Sequence, residues 1–202
     1  MNASVADPVM VTEATRHVHY DRLLEGMAKA VATKGYADTT IGDIVREAAV
    51  SRRSFYEHFT TKADCLIALY EVASGQALRV LSEAVDPFQP WQTQVEHAVT
   101  AYFDFLAQDP ALLKTLFVEI LGLGLPGLAV RRRMNMEIAR FIQLSTGGEG
   151  GALLSPELAM TVVGGINELI LEAIEHDRSG DLRDLVAPAT RLIRSVADWR
   201  SQ

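Results

Sequence analysis

The sequence predicts an all-α fold of about nine helices. Three observations carry that prediction. Apolar residues recur at spacings of three and four along most of the chain, as one buried helix face requires. No run alternates apolar and polar residues with hairpin turn chemistry between, so strands are not expected. Proline and glycine break the pattern at intervals that suit single helices. The 202 residues, 49% hydrophobic and 22% charged, suffice for a packed core and are too weakly charged to stay unfolded by repulsion. Charges interrupt the apolar stretches well short of the roughly 20 residues that cross a bilayer. Met1 to Met10 lacks the basic start and apolar run of an export signal. A soluble, cytoplasmic protein with no membrane partner is therefore expected. The single cysteine, Cys65, excludes an internal disulfide and a multi-cysteine zinc site.

Residues 1–15 are polar and contain helix breakers, and read as a flexible tail. Leu23, Met27 and Val31, with Leu24 and Ala28 beside them, form the inner stripe of a first helix near 18–34, which Lys34 and Gly35 end. Thr40 caps a second helix, its hydroxyl serving the free amides while Asp43 reaches back to the cap, and this helix runs to about Ala48. Ser51 caps a short third helix through Phe59. Thr61 with Asp64 repeats the pattern for a fourth from Lys62 to about Glu83, which Asp86-Pro87 and Gln89-Pro90 stop. Further breaks at Asp109-Pro110, Gly122 to Gly127, Thr146 to Gly151 and Ser179-Gly180 separate helices near 90–107, 110–121, 127–145, 156–177 and 181–200. Gly147 to Gly151 reads as a mobile loop.

A net charge of -7 argues at first sight against a nucleic-acid partner. Its distribution alters that reading, because residues 1–62 carry eight basic and eight acidic residues and the remainder eleven and eighteen. Two short helices joined by three or four residues, the second opening with Ser51-Arg52-Arg53-Ser54, also have the spacing of a helix-turn-helix that enters a DNA major groove. By spacing alone a plain helical hairpin is the simpler reading. The residues themselves reverse it. Gly35-Tyr36-Ala37-Asp38-Thr39-Thr40-Ile41-Gly42-Asp43-Ile44-Val45, then Ala48-Ala49-Val50-Ser51-Arg52-Arg53-Ser54-Phe55-Tyr56-Glu57-His58-Phe59 and Lys62, closely resembles the N-terminal signature of the TetR family of bacterial transcriptional regulators. The match covers about residues 20–70.

The resemblance implies a DNA-binding domain at 16–62, a ligand-binding and dimerisation domain at 63–202, and double-stranded operator DNA as partner. Arg52 and Arg53 open the recognition helix, where a guanidinium fork can read guanine; Arg53 is equally suited to a phosphate. Ser51, Tyr56, His58 and Lys62 match positions that usually touch the phosphate backbone, as does Thr40 at the start of the second helix, with Ser54 completing the opening turn. Ile44, Val45, Val50, Phe55 and Phe59 should be the small core that fixes the helix angle. Ala49 stands where the family usually has glycine, so strain is expected if that turn needs positive φ. Arg16, His17 and His19 lie where the family sometimes reaches along DNA.

The second part holds Tyr70, Trp91, Tyr102, Phe103, Phe105, Phe117, Met134, Met136 and Phe141, most of which any helical core would need. Polar residues among apolar neighbours, His97, Glu119, Thr161 and Asn167, must find partners. The candidate ligand residues are Trp91, His97, Tyr102, Phe105, Phe117, Glu119, Phe141 and Asn167. The resemblance implies an unidentified small-molecule effector between the fourth and eighth helices. The last two helices carry more apolar surface than one layer needs, and Gly164-Gly165 would let another backbone approach. Gly164, Leu169, Ile193 and Trp199 are therefore candidates for a homodimer interface of the kind that pair builds in the family. Burial within one chain is the alternative.

Gly122-Leu123-Gly124-Leu125-Pro126-Gly127 is a literal GxGxxG after the strand-like Leu116-Phe117-Val118-Glu119-Ile120, but no further strands accompany it and a helix break is the simpler reading. Glu168, Glu172 and His176 share one helix face without a matching cluster elsewhere, so no metal and no cofactor are expected. No catalytic constellation stands out. The sequence thus predicts a homodimeric DNA-binding regulator, a repressor released by a small ligand, and no enzyme. The rivals are a helical interaction or ligand-binding protein without operator binding, and a nucleotide-dependent enzyme using the glycine turn.

Overall fold

The computed structural model describes residues 8–147 and 154–199, with side chains at 16–147 and 154–198. Among these residues there are nine α-helices and two short 3-10 helices, and no strand. The helices are α1 (Pro8–Asp38), α2 (Ile41–Ala48), α3 (Arg52–Tyr56), α4 (Lys62–Glu83), α5 (Trp91–Ala107), α6 (Pro110–Phe117), α7 (Leu125–Thr146), α8 (Pro156–Glu175) and α9 (Val186–Trp199); the 3-10 helices are Glu119–Leu123 and Arg183–Leu185. The chain divides into two compact units, Met1–Leu69 and Tyr70–Gln202, so α4 begins in the first and ends in the second.

In the first unit, the head, Leu23, Met27 and Val31 of α1 are buried as the stripe predicts, against Ile44 and Val45 of α2, Phe55, and Leu66 of α4. Phe59 is buried with them, and Val50 only half-buried. Helix α1 starts at Pro8, about ten residues before its expected start. Proline fits a first helical turn, and residues 9–17 contain no further proline and no glycine to stop propagation. The expected tail is thus helical from Pro8; its first seven residues lie outside the described ones, as does most of the glycine-rich spot at 147–151. At the other end Gly35 turns the chain with φ 75° and ψ 163°, a region essentially restricted to glycine.

The capping box of α2 forms in both directions: Asp43 N–H donates to Thr40 Oγ1 at 3.2 Å and Thr40 N–H to Asp43 Oδ2 at 3.0 Å. The other carboxylate oxygen of Asp43 pairs with Lys34 at 2.9 Å and Arg46 at 3.1 Å. The Lys34 hydrogen bond above all, then those from Thr40, holds this carboxyl well below the usual carboxylate range. Helix α3 is capped by Ser51, whose Oγ accepts from Ser54 N–H at 3.0 Å. It is shorter than expected as an α-helix, although His58 and Phe59 amides still donate to Phe55 O and carry the turn to residue 59.

The turn between α2 and α3 tests the one residue that departs from a glycine pattern. Ala49 sits in the left-handed region at φ 50°, ψ 45°, its N–H donating to Arg46 O. A Cβ in that conformation costs about 1 to 2 kcal/mol, partly offset because glycine loses more entropy on folding. Since Ala49 is exposed, Ala49→Gly should stabilise the head by about 1 kcal/mol. Urea unfolding followed by circular dichroism checks this; a variant no more stable than the parent would refute the strain.

In the second unit, the body, α7 packs on α8 and α5 on α9, around Phe103, Leu113, Ile120, Val130 and Ile170. The helix expected over 110–121 is broken. Helix α6 ends at Phe117, and after Val118, whose φ of -114° departs from the ideal helical value, a 3-10 turn follows. The break serves a close approach, because a Cβ on Gly127 would stand 2.0 Å from the carbonyl oxygen of Ile120. Leu116–Ile120 is therefore helical and not a strand, which removes the structural context of a dinucleotide-binding turn.

Candidate nucleic-acid interface and ligand chamber

On the head, Arg52, Arg53 and Tyr56 are exposed on α3. The end of the Arg52 guanidinium lies over Gly42 of α2, 3.1 Å from where a Cβ would be. Arg53 donates to Glu57 at 3.1 Å with its side chain 90% exposed, a surface pair that water and ions weaken and a nucleic acid can replace. Ser51 and Ser54 hydroxyls lie 3.0 Å apart in the cap, and Thr40 donates to Asp43 Oδ2 at 2.7 Å. These side chains hold the two helix starts in place.

Two candidates are used differently from the sequence reading. Lys62 Nζ donates to the carbonyls of Tyr36 at 2.9 Å, Ala37 at 3.1 Å and Thr39 at 2.7 Å, and stands 4.4 Å from the centre of the Tyr36 ring. All three ammonium protons are thereby spent inside the head. His58 is half-buried, its ring 5.8 Å from Tyr20 and 6.2 Å from Phe59, and its Nε2 has no hydrogen-bond partner. Burial first, and then the Arg16 guanidinium, lower its pKa, which favours the neutral ring at pH 7. Arg16, His17, Tyr20 and His58 surround an open hollow of about 300 Å³.

The body contains two adjoining cavities. The first, about 40 Å³, is walled almost wholly by apolar groups, among them Leu81 of α4, Val95, Val99, Tyr102 and Phe103 of α5, Ile138 and Phe141 of α7, Val163 and Ile166 of α8, and Ile193 of α9. Ser145, Thr146 and Asn167 are its polar members. The second, about 30 Å³, is lined by Tyr70, Ser74, Leu106, Phe117, Arg131, Met134 and Asn135, and shares Tyr102, Ile138 and Asn167 with the first. Asn167 Nδ2 donates to Asn135 Oδ1 at 3.4 Å across that shared wall. Burial pushes the Tyr102 phenol far above its ordinary range, so it stays neutral.

Of the candidate ligand residues, Tyr102, Phe117, Phe141 and Asn167 line these cavities. Trp91, Phe105 and Glu119 are half-buried elsewhere, and His97 is exposed. Thr161 is likewise exposed and bonded to Glu157 O at 2.8 Å. The α5 residues that do line the first cavity, 95, 98, 99, 102 and 103, follow one helical stripe, and His97 lies about 200° round the axis from Val95. The missed residues Leu81, Ile138, Arg131 and Asn135 gave no local signal. On α8 and α9, Gly164 is exposed with no atom within 4 Å of a would-be Cβ, and Leu169 is half-buried. Ile193 is a correction: it is 3% exposed and faces the chamber, because α9 turns that stripe inward onto α5. The Trp199 side chain lies outside the described residues. Among the described residues no group of three or more potential metal ligands occurs, and no helix is long and apolar enough to cross a membrane.

The family model for bacterial regulatory proteins of the tetR family matches residues 23–69, the head with its recognition helix. The chain therefore carries a TetR-type DNA-binding head. It is accordingly a DNA-binding transcriptional regulator, with α2 and α3 as its helix-turn-helix. A fatty acid metabolism regulator protein of Bacillus subtilis is 23% identical over 172 residues, covering 81% of this chain and 87% of the relative. Among solved structures, the fatty acid degradation regulator FadR of Bacillus halodurans superimposes with a TM-score of 0.77 at 19% identity, over 87% of this chain and 94% of that one. The transcriptional regulator FadR of Bacillus subtilis, solved in complex with stearoyl-CoA, gives 0.72 at 19%, over 88% and 97%. The multidrug binding protein EbrR, complexed with imidazole, gives 0.66 at 19%, over 88% and 93%. At such identities the structural likeness shows the shared fold.

Proposed function

We propose that this regulator is a cytoplasmic homodimeric repressor that releases its operator when an aliphatic, acyl-type ligand enters the body. The observation that carries the reading is the first cavity, whose walls are apolar on five helices and whose lining holds few polar groups. Such a site suits a long hydrocarbon chain, which gains binding energy by desolvation and needs few directional contacts. The relatives named for fatty acid regulation, one holding stearoyl-CoA, support the same class. No catalytic role is proposed.

The size of the cavity supplies a physical basis for the switch. About 40 Å³ holds only a few waters, whereas ligand sites run to roughly 300 to 1,000 Å³. A chain-length ligand must therefore part the helices, and one of them, α4, carries Leu81 at the cavity and begins at Lys62 in the head. A ligand that binds only the widened body shifts the operator equilibrium by its differential affinity. Arg52 and Arg53 are the proposed base readers.

Selection of operator DNA from random pools, followed by titration with and without acyl ligands of graded length, tests the proposal. Operator affinity should fall by about 5-fold to 150-fold on ligand addition, and operator should weaken ligand binding by the same factor. Arg52→Ala should lose about 1 to 3 kcal/mol of discrimination at one operator position. Ligands that stabilise the protein while leaving operator affinity unchanged would refute the switch, and pools that yield no preferred sequence would refute operator binding.

A further inference from the structure

The second cavity says more about the ligand than its length. Its polar side chains come from three helices: Tyr70 and Ser74 of α4, Arg131 and Asn135 of α7, and Asn167 of α8. Four of the five already have partners, Tyr70 with Ser74 and Asn167 with Asn135. Arg131 is the exception. It is half-buried and makes no hydrogen bond or ion pair with any described residue, whereas Arg133, Arg183 and Arg194 each hold a carboxylate. Glu71, next to Tyr70 in sequence, is taken by Arg133. An arginine kept at a cavity wall without a counter-charge leaves a bidentate donor fork for which the described residues provide no acceptor.

We propose that Arg131 receives the carboxylate of an aliphatic acid whose hydrocarbon tail fills the first cavity. This rests on the acyl-ligand reading above and sharpens it, because it makes the free acid, rather than its thioester or alcohol, the ligand of this chain. A carboxylate accepts two parallel N–H bonds from one guanidinium, and its charge is compensated there. A thioester carbonyl is neutral and offers one weak acceptor, so it brings the guanidinium no charge to pair with. Asn167, at the wall common to both cavities and bonded to Asn135, marks where head group gives way to tail.

Calorimetric titration of the full-length protein with dodecanoate, 1-dodecanol and dodecanoyl-CoA tests this without any operator. The parent should bind dodecanoate about tenfold or more tightly than either of the others, since hydrogen bonds to a charged group are worth that much. In Arg131→Gln the preference of acid over alcohol should vanish while dodecanol still binds, and Arg131→Lys should keep part of it. The surviving dodecanol affinity also reports that the variant body is folded. A parent that binds the thioester as tightly as the acid overturns the assignment, as does an Arg131→Gln protein that keeps its preference or loses both ligands together. A parent that binds none of the three overturns the acyl reading itself.

Discussion

Replacing Lys62 with methionine should destabilise the DNA-binding head by about 2 to 3 kcal/mol and leave the salt dependence of operator binding unchanged. The family resemblance assigns this lysine to a phosphate, and loss of a phosphate contact would lower the salt slope by roughly one unit per subunit. The geometry assigns it elsewhere. Gly35 kinks α1 three residues before its end, and the carbonyls of Tyr36, Ala37 and Thr39 lie in the last turn and just past it, where helix carbonyls lack a full set of amide partners. Lys62 Nζ gathers all three within 3.1 Å and lies against the Tyr36 ring. One charge shared by three partly exposed acceptors yields less than three separate charged hydrogen bonds, hence the modest total. Methionine keeps the aliphatic stem and removes the charge and the donors. Urea unfolding and hydrogen exchange at residues 36–44 read the first effect, and operator titrations at several salt concentrations read the second. A variant of parental stability with a shallower slope would return Lys62 to the DNA.

The Lys62 clamp also marks the limit of what the sequence discloses. Local chemistry was legible: Thr40 with Asp43, Ser51 at the start of α3 and the strained Ala49 act over three or four residues, and each stands where its neighbours require. Periodicity likewise located the head core from Leu23 to Phe59. What periodicity cannot give is the partner across the fold. Lys62 reaches carbonyls more than twenty residues away, and Ile193 reads as spare apolar surface until α9 is seen to turn it onto α5. The same limit divides the candidate ligand residues. Tyr102 and Asn167 lie on stripes that face the cavity, whereas His97 lies on the opposite side of α5, a distinction available from helical angles alone. Arg131 gave no signal at all, because an arginine on an arginine-rich helix face reads as solvated until a cavity is found beside it. The break after Phe117 was hidden too, since its cause is the distance between Gly127 and the Ile120 carbonyl.

Gly164→Arg should convert the proposed dimer into folded monomers and weaken operator binding on the order of 10² to 10⁴-fold. Within one chain the substitution is harmless: Gly164 is exposed, a Cβ there meets nothing within 4 Å, and replacing a mid-helix glycine raises helix propensity by about 1 kcal/mol. Any loss must therefore come from a second copy. The surface around it supports one, because Leu169, Leu171 and Ile174 on α8 and Leu192 and Val196 on α9 are only half-buried in the single chain. Packing that face against its two-fold copy would complete a four-helix bundle, with Gly164 at a close approach. Each head would then reach one half-site, and the second contact would be made at the high effective concentration that linkage provides. A monomer forfeits that gain while each head keeps its own contacts. Ile193→Arg makes the contrasting variant, since a buried chamber residue so replaced leaves an unpaired charge in the core and should unfold the body rather than yield soluble monomers. Light scattering at micromolar concentration separates the outcomes. A Gly164→Arg protein that remains dimeric with parental operator affinity would place the interface on another face.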